Sequence, residues 1–209
     1  MKIISHRGYW KNFEENNRQI SFNRSFEFGY GTETDIRDYQ GELVVSHEIP
    51  NEFSMTMIKF LELYAGYKNP FLLALNIKAD GLQRKMRELL EKYNITNYFL
   101  FDMSIPDTIQ YIKMGFNVFC RQSEYELNVP FYNEIKGIWL DSFCKIWYSS
   151  DLVNEHLING KQVCIVSSEL HKRDHLNHWQ YLKSFNLNNS DNLILCTDYP
   201  EEARKYFED

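Results

Sequence analysis

The sequence predicts a compact α/β protein of the TIM (β/α)8 barrel class, with a small β-hairpin after the second strand. Three observations lead there. Short continuous apolar runs alternate with amphipathic stretches, the pattern of a parallel sheet covered by helices. The strand-then-helix units number eight, which favours a closed barrel over an open doubly wound sheet. Nearly every predicted strand ends in a polar or charged side chain, as the mouth of such a barrel requires. At 209 residues the chain reads as a single domain over 1–209, near the lower size limit of the fold.

The elements follow in order. Lys2-Ile3-Ile4-Ser5 reads as a first strand ending at His6-Arg7-Gly8. A helix is predicted from Asn17 to Phe28, with Ile20, Phe22 and Phe26 on one side, stopped by Gly29 and Gly31. Thr32–Ile36 is the second strand, and Gln40-Gly41 turns the chain into a hairpin arm, Glu42–Ser46. A second helix runs from Ser54 to Tyr64. Strands are then predicted at Phe71–Asn76, Tyr98–Phe101, Phe116–Cys120, Gly137–Leu140, Gln162–Val166 and Asn192–Cys196. Helices are predicted at Leu82–Tyr93, Pro106–Met114, Asp151–Leu157, His175–Phe185 and Pro200–Phe207, while the stretch up to Tyr132 stays unassigned. Pro200 suits a first helical turn.

Composition narrows the function. The net charge is −6, from 23 basic and 29 acidic residues, without the basic excess of a nucleic-acid binder. No apolar run approaches the ~20 residues of a membrane span, and no leader-like segment follows the first lysine, so a cytoplasmic protein is expected. Cys120, Cys144, Cys164 and Cys196 are widely spaced and lie beside apolar residues, as core thiols in a reducing compartment do. His156, His175 and His178 fall in predicted helices and read as surface residues. Trp10, Trp139 and Trp179 read as packing.

The chemistry gathers around Thr32-Glu33-Thr34-Asp35-Ile36-Arg37. Side chains alternate across a strand, so Glu33 and Asp35 leave the same face and repel each other unless a cation lies between them. The predicted strand ends add His6 and Arg7, His47, Asn76 and Lys78, Asp102, Arg121, Asp141, Glu169 with His171, and Asp198. Glu33 and Asp35 offer hard oxygen ligands suited to Mg²⁺ or Ca²⁺. Arg7 and Arg121 offer forked donors for phosphate, and Lys78 a point charge. His6 and His47 suit proton transfer near neutral pH. His171, Glu169 and Trp147 are further candidate substrate contacts. These are the ingredients of metal-assisted phosphate chemistry.

The motifs also resemble a family. Ile4-Ser5-His6-Arg7-Gly8, Glu33-x-Asp35 and Gly41-Glu42-Leu43-Val44-Val45-Ser46-His47-Glu48 resemble, in order and spacing, the signature segments of the glycerophosphodiester phosphodiesterases. Glu15-Asn16, Asn76-Ile77-Lys78 and Thr197-Asp198-Tyr199-Pro200 resemble further family motifs. The resemblance implies a TIM barrel that cleaves a small-molecule phosphodiester, with His6 and His47 as acid and base. Arg7 would hold phosphate, and Glu33 and Asp35 a divalent cation. It also implies attack by a neighbouring hydroxyl, followed by opening of a cyclic phosphate. Asn76 stands where the family has a third acidic metal ligand; its amide oxygen can ligate without charge, and Asp102 or Glu169 are the alternatives for that place. The path from His47 to the second helix is short, implying an open pocket and an alcohol that need not be glycerol. Asn76-Ile77-Lys78 and the segment from Ser167 to His171 resemble a short bacterial branch associated with surface polysaccharides, which points to a sugar- or nucleotide-linked diester. A phosphomonoesterase or phosphoryl transferase, and a non-catalytic phosphate-binding protein, are the alternatives.

Overall fold

The computed structural model describes residues 1–68, 70–187 and 190–208. By its internal contacts the chain divides into two compact units, Ser5–Val118 and a second comprising Met1–Ile4 with Phe119–Asp209.

The first unit takes the end of strand β1 (Lys2–His6), then a 3₁₀ turn, Phe13–Glu15, and helix α1 (Gln19–Glu27). Strand β2 (Gly31–Tyr39) returns antiparallel as β3 (Glu42–Val45), the predicted hairpin. Its turn puts Gln40 at φ 49° and Gly41 at φ 84°, the paired left-handed conformation of a tight two-residue hairpin. The hairpin carries β2 three residues beyond the expected Ile36, because Tyr39 still pairs with Glu42. A short strand β4 (Met55–Thr56) precedes α2 (Met57–Ala65), whose first turn is capped by the Thr56 hydroxyl accepting from Lys59 N. Then come β5 (Leu73–Ile77), α3 (Gln83–Lys92), β6 (Tyr98–Phe101) and α4 (Ile105–Lys113). Strand β5 runs parallel to both β2 and β6. Aromatic rings of α1 and α2 fill the space behind, with Phe22 and Phe60 centroids 4.7 Å apart.

The second unit is parallel throughout: β7 (Phe119–Gln122), β8 (Gly137–Leu140), β9 (Gln162–Val166) and β10 (Leu193–Thr197) pair in that order. Helices α5 (Ser150–Ile158), α6 (His175–Lys183) and α7 (Pro200–Glu208) alternate with them. The stretch between β7 and β8 carries a turn bridged by Ser123 and Glu126 and no helix. Gly137 is required by packing, since a Cβ there would run into the Phe119 ring and Gln162 O.

Three expectations need correction. The strand expected from Phe116 starts at Phe119, because Phe116 N donates to Tyr111 O and closes α4 around Gly115, at φ 73°. His156 and His178 are buried, not surface residues. Each has both ring nitrogens partnered, His156 by Tyr132 and Gln122 and His178 by Tyr148 and Ser168, which makes a core position tolerable. Cys144 is exposed beside the Tyr125 hydroxyl, since its apolar neighbours belong to a loop, whereas Cys120, Cys164 and Cys196 are buried as expected.

Candidate active site

Strand β2 presents Glu33, Asp35 and Arg37 from one face. Register places Asn76 of β5 beside Asp35. Glu33 and Asp35 are each only 1% exposed, so their charges depend on neighbouring groups rather than water.

Asp35 is richly supplied. Asn17 Nδ2 donates to it at 2.9 Å and His47 Nδ1 stands at 3.1 Å. Arg7 Nε forms an ion pair at 3.2 Å and Lys78 Nζ a longer one at 3.7 Å. Glu33 has less: the backbone N–H of Arg7 at 3.3 Å, and His6 Nε2 at 3.9 Å. Burial, and next the Asp35 charge, push the Glu33 carboxyl up to about 7. Burial acts on Asp35 as well. There the His47 hydrogen bond, Arg7, Lys78 and Asn17 outweigh it and hold the group below the usual carboxylate range. Two carboxyls two residues apart therefore differ in proton affinity, the arrangement that separates roles in acid–base sites.

The backbone is specialised to build this arrangement. Arg7, Asn17 and Asp102 take left-handed φ values of 55°, 55° and 72°, uncommon for non-glycine residues. Arg7 is latched by its N–H to Glu33 O and its carbonyl to Asn17 N, each at 3.0 Å. Gly8 follows at φ 85°, where a Cβ would collide with Ser21. The His-Arg-Gly run is thus a strand end that turns Arg7 back over β2.

Lys78 also reaches Asp102 at 3.3 Å. Arg7 touches His47 too, NH2 to Nδ1 at 2.8 Å. Beside Arg7 and His47 lies a cavity of about 460 Å³ lined also by Phe13, Arg18, Ile49 and Phe53.

A divalent cation finds a partial cage. Among the described residues no three His, Cys, Asp or Glu side chains converge as a metal set. The third oxygen is an amide: Asn76 Oδ1, next to Asp35 in register, is buried and has no hydrogen-bond partner. An orphaned acceptor beside two carboxylates fits a hard cation, with one charge fewer than an all-carboxylate set.

The remaining candidates lie in the second unit. Arg121 is paired with Glu126. The Glu169 carboxylate accepts from the Thr197 and Ser167 hydroxyls and from Asp198 N, contacts that fix its position within its own unit. His171 Nε2 meets Asp141 Oδ1 at 2.6 Å under the Phe143 ring, and Trp147 Nε1 donates to Asp141 O at 2.7 Å. Trp147 therefore anchors a loop.

Two residues of the first unit escape the sequence reading. Asn17 bridges the Thr34 hydroxyl and Asp35. Its only signal is adjacency to Glu15-Asn16. Arg37 donates to the backbone carbonyls of His47 and Lys78, fixing both side-chain origins. Its signal is the alternation that already pairs Glu33 with Asp35.

No family model matches the sequence, and neither does any curated protein. Solved structures do match. A glycerophosphodiester phosphodiesterase from Parabacteroides distasonis superposes with a TM-score of 0.73 at 17% identity, over 99% of this chain and 96% of its own. An Oleispira antarctica phosphodiesterase, in complex with the product sn-glycerol-3-phosphate, gives 0.73 at 13%, over 100% and 97%. The fold is that of the glycerophosphodiester phosphodiesterases. The TIM-barrel class predicted from the eight units is thereby met, and the resemblance carried by the N-terminal motifs is met at the level of fold. A phosphoribosyl anthranilate isomerase from Thermus thermophilus also shares it, with a TM-score of 0.58 at 9% identity, so the reaction must be argued from side chains. No helix among the described residues is long and apolar enough to cross a membrane.

Proposed function

We propose that this chain is a phosphodiesterase that cleaves a glycerol-, sugar- or nucleotide-linked phosphodiester to an alcohol and a phosphomonoester. One observation carries the reading: two histidines stand against two adjacent buried carboxylates, and Arg7 touches Asp35, Glu33 and His47. The neighbour holding sn-glycerol-3-phosphate supports a product of this class.

The side chains divide the work. With Asp35 ionised, His47 Nδ1 donates to it, which leaves Nε2 as the proton acceptor. Nδ1 cannot then accept from Arg7, so the Arg7 fork turns to a bound phosphate. His6, on the Glu33 side, exchanges the second proton, so that one histidine serves the attacking oxygen and the other the leaving oxygen. Lys78, held by Asp35 and Asp102, adds positive charge. Glu33, Asp35 and the Asn76 amide oxygen would hold Mg²⁺ or Ca²⁺, which when bound offsets phosphoryl charge. Asp102 is engaged by Lys78 and serves better as its anchor than as a third ligand.

The test is turnover of glycerophosphodiesters, nucleotide-linked diesters and bis-p-nitrophenyl phosphate with Mg²⁺, Ca²⁺, Mn²⁺ or EDTA. Cation-dependent release of alcohol and phosphomonoester is expected, falling by about 10²–10⁴ in His47→Ala or His6→Ala. Inorganic phosphate as the product would instead indicate a monoesterase. No turnover of any diester, with phosphate still bound, would leave a binding protein.

A further inference from the structure

Three large apolar side chains stand unusually far into solvent on the first unit: Phe13 at 72%, Ile49 at 87% and Phe53 at 76% exposed. Single exposed hydrophobes need no explanation, but these three line one cavity, the same one that Arg7 and His47 line. They come from two separate segments, and both are pinned. The Phe13 turn is closed by Glu15 N to Asn12 O and Asn16 N to Phe13 O, while the Glu15 carboxylate takes Lys11 N and Arg24. The Phe53 loop is held by Asn51 and Ser54, each donating its N–H to the other, and by Phe53 N to Asn51 Oδ1. Arg18 reaches across to Phe53 O at 3.5 Å. The apolar side chains are therefore presented by built turns.

We propose that this cavity is the alcohol subsite and that the alcohol arm of the substrate diester carries an apolar alkyl or aryl group. The inference rests on the phosphodiesterase reading for the orientation of that arm, with phosphorus near Arg7 and His47. The volume, about 460 Å³, is that of a small-ligand site, within the range of roughly 300–1,000 Å³. A protein partner would need a far larger surface. Glycerol alone would leave Ile49 and Phe53 in water, whereas an apolar arm covers them.

The test uses methyl, butyl, hexyl and octyl phosphate, below their micellar concentrations, titrated by calorimetry against the full chain with millimolar Mg²⁺. The matching alkyl diesters of glycerol phosphate are assayed in parallel. Affinity and kcat/KM should rise about three- to fourfold for each methylene covered. That rise should flatten in Ile49→Ser, Phe53→Ser and the double variant, whose folding is checked by circular dichroism. Chain-length-dependent binding lost in the variants, with no diester hydrolysed, would keep the subsite and discard the phosphodiesterase reading. Hydrolysis at one rate whatever the chain, with chain-independent phosphate binding, would overturn the subsite and keep the enzyme. Flotation with phosphatidylcholine vesicles, lost in the same variants without any chain-length effect on dissolved phosphates, would assign the patch to a bilayer and overturn it.

Discussion

Glu33 and Asp35 show how two residues apart in sequence can acquire opposite acid–base character. Both are buried, yet only Asp35 collects enough donors to stay ionised, and Glu33 is left near 7. A cation that binds the pair must displace the Glu33 proton. Cation binding should therefore release close to one proton at pH 6 and almost none at pH 8. Calorimetry in buffers of different ionisation enthalpy measures this, and equal release at both pH values would contradict it. Asn76 supplies the complementary experiment. Asn76→Asp restores the missing charge, so Mg²⁺ or Ca²⁺ affinity should rise about tenfold or more, about 1.4 kcal/mol. Without cation the same variant should melt at a lower temperature, because a third carboxylate then faces Asp35 unscreened.

At the scale of elements, short local devices place the side chains of the candidate site. The β1 end is the sharpest case. Arg7 and Gly8 both need left-handed backbone, and Gly8 also lies against Ser21. Gly8→Ala should cost about 2–4 kcal/mol by chemical denaturation, combining left-handed strain with overpacking. Helix caps should matter less. Asp174 accepts from Leu176 N at 2.7 Å and Asn177 N at 3.3 Å at the start of α6. Asp174→Ala should lose about 1 kcal/mol, or about 2–4 °C in Tm for a protein of this size.

For the molecule as a whole, acid stability should carry the mark of a buried histidine. Burial, with the Arg173 charge adding to it, lowers His178 from its ordinary 6.5 to about 4. Between those values the unfolded chain binds the extra proton and the folded one does not. Stability is therefore full above about pH 6.5 and declines as pH falls towards about 4, by on the order of 3 kcal/mol. Urea midpoints across that window measure the slope, and His178→Gln should remove this part of it.

The sequence by itself determined the fold class, because strand and helix periodicities, turn residues and strand-end polarity are local signals that survive without coordinates. The hairpin after β2 and the face shared by Glu33 and Asp35 were legible for the same reason. Only the tertiary structure decided what each charge meets. Asn17 joins the site through a contact across 18 residues, which no periodicity encodes. Glu169, legible as a strand-end carboxylate, meets Thr197, Ser167 and the Asp198 amide only once the chain is folded. His178 sits on a helix whose inward face is chosen by packing, so its burial emerged only with Tyr148 and Ser168 in place. Periodicity is a property of the chain, whereas proton affinity and ligand capacity belong to neighbours that folding brings together.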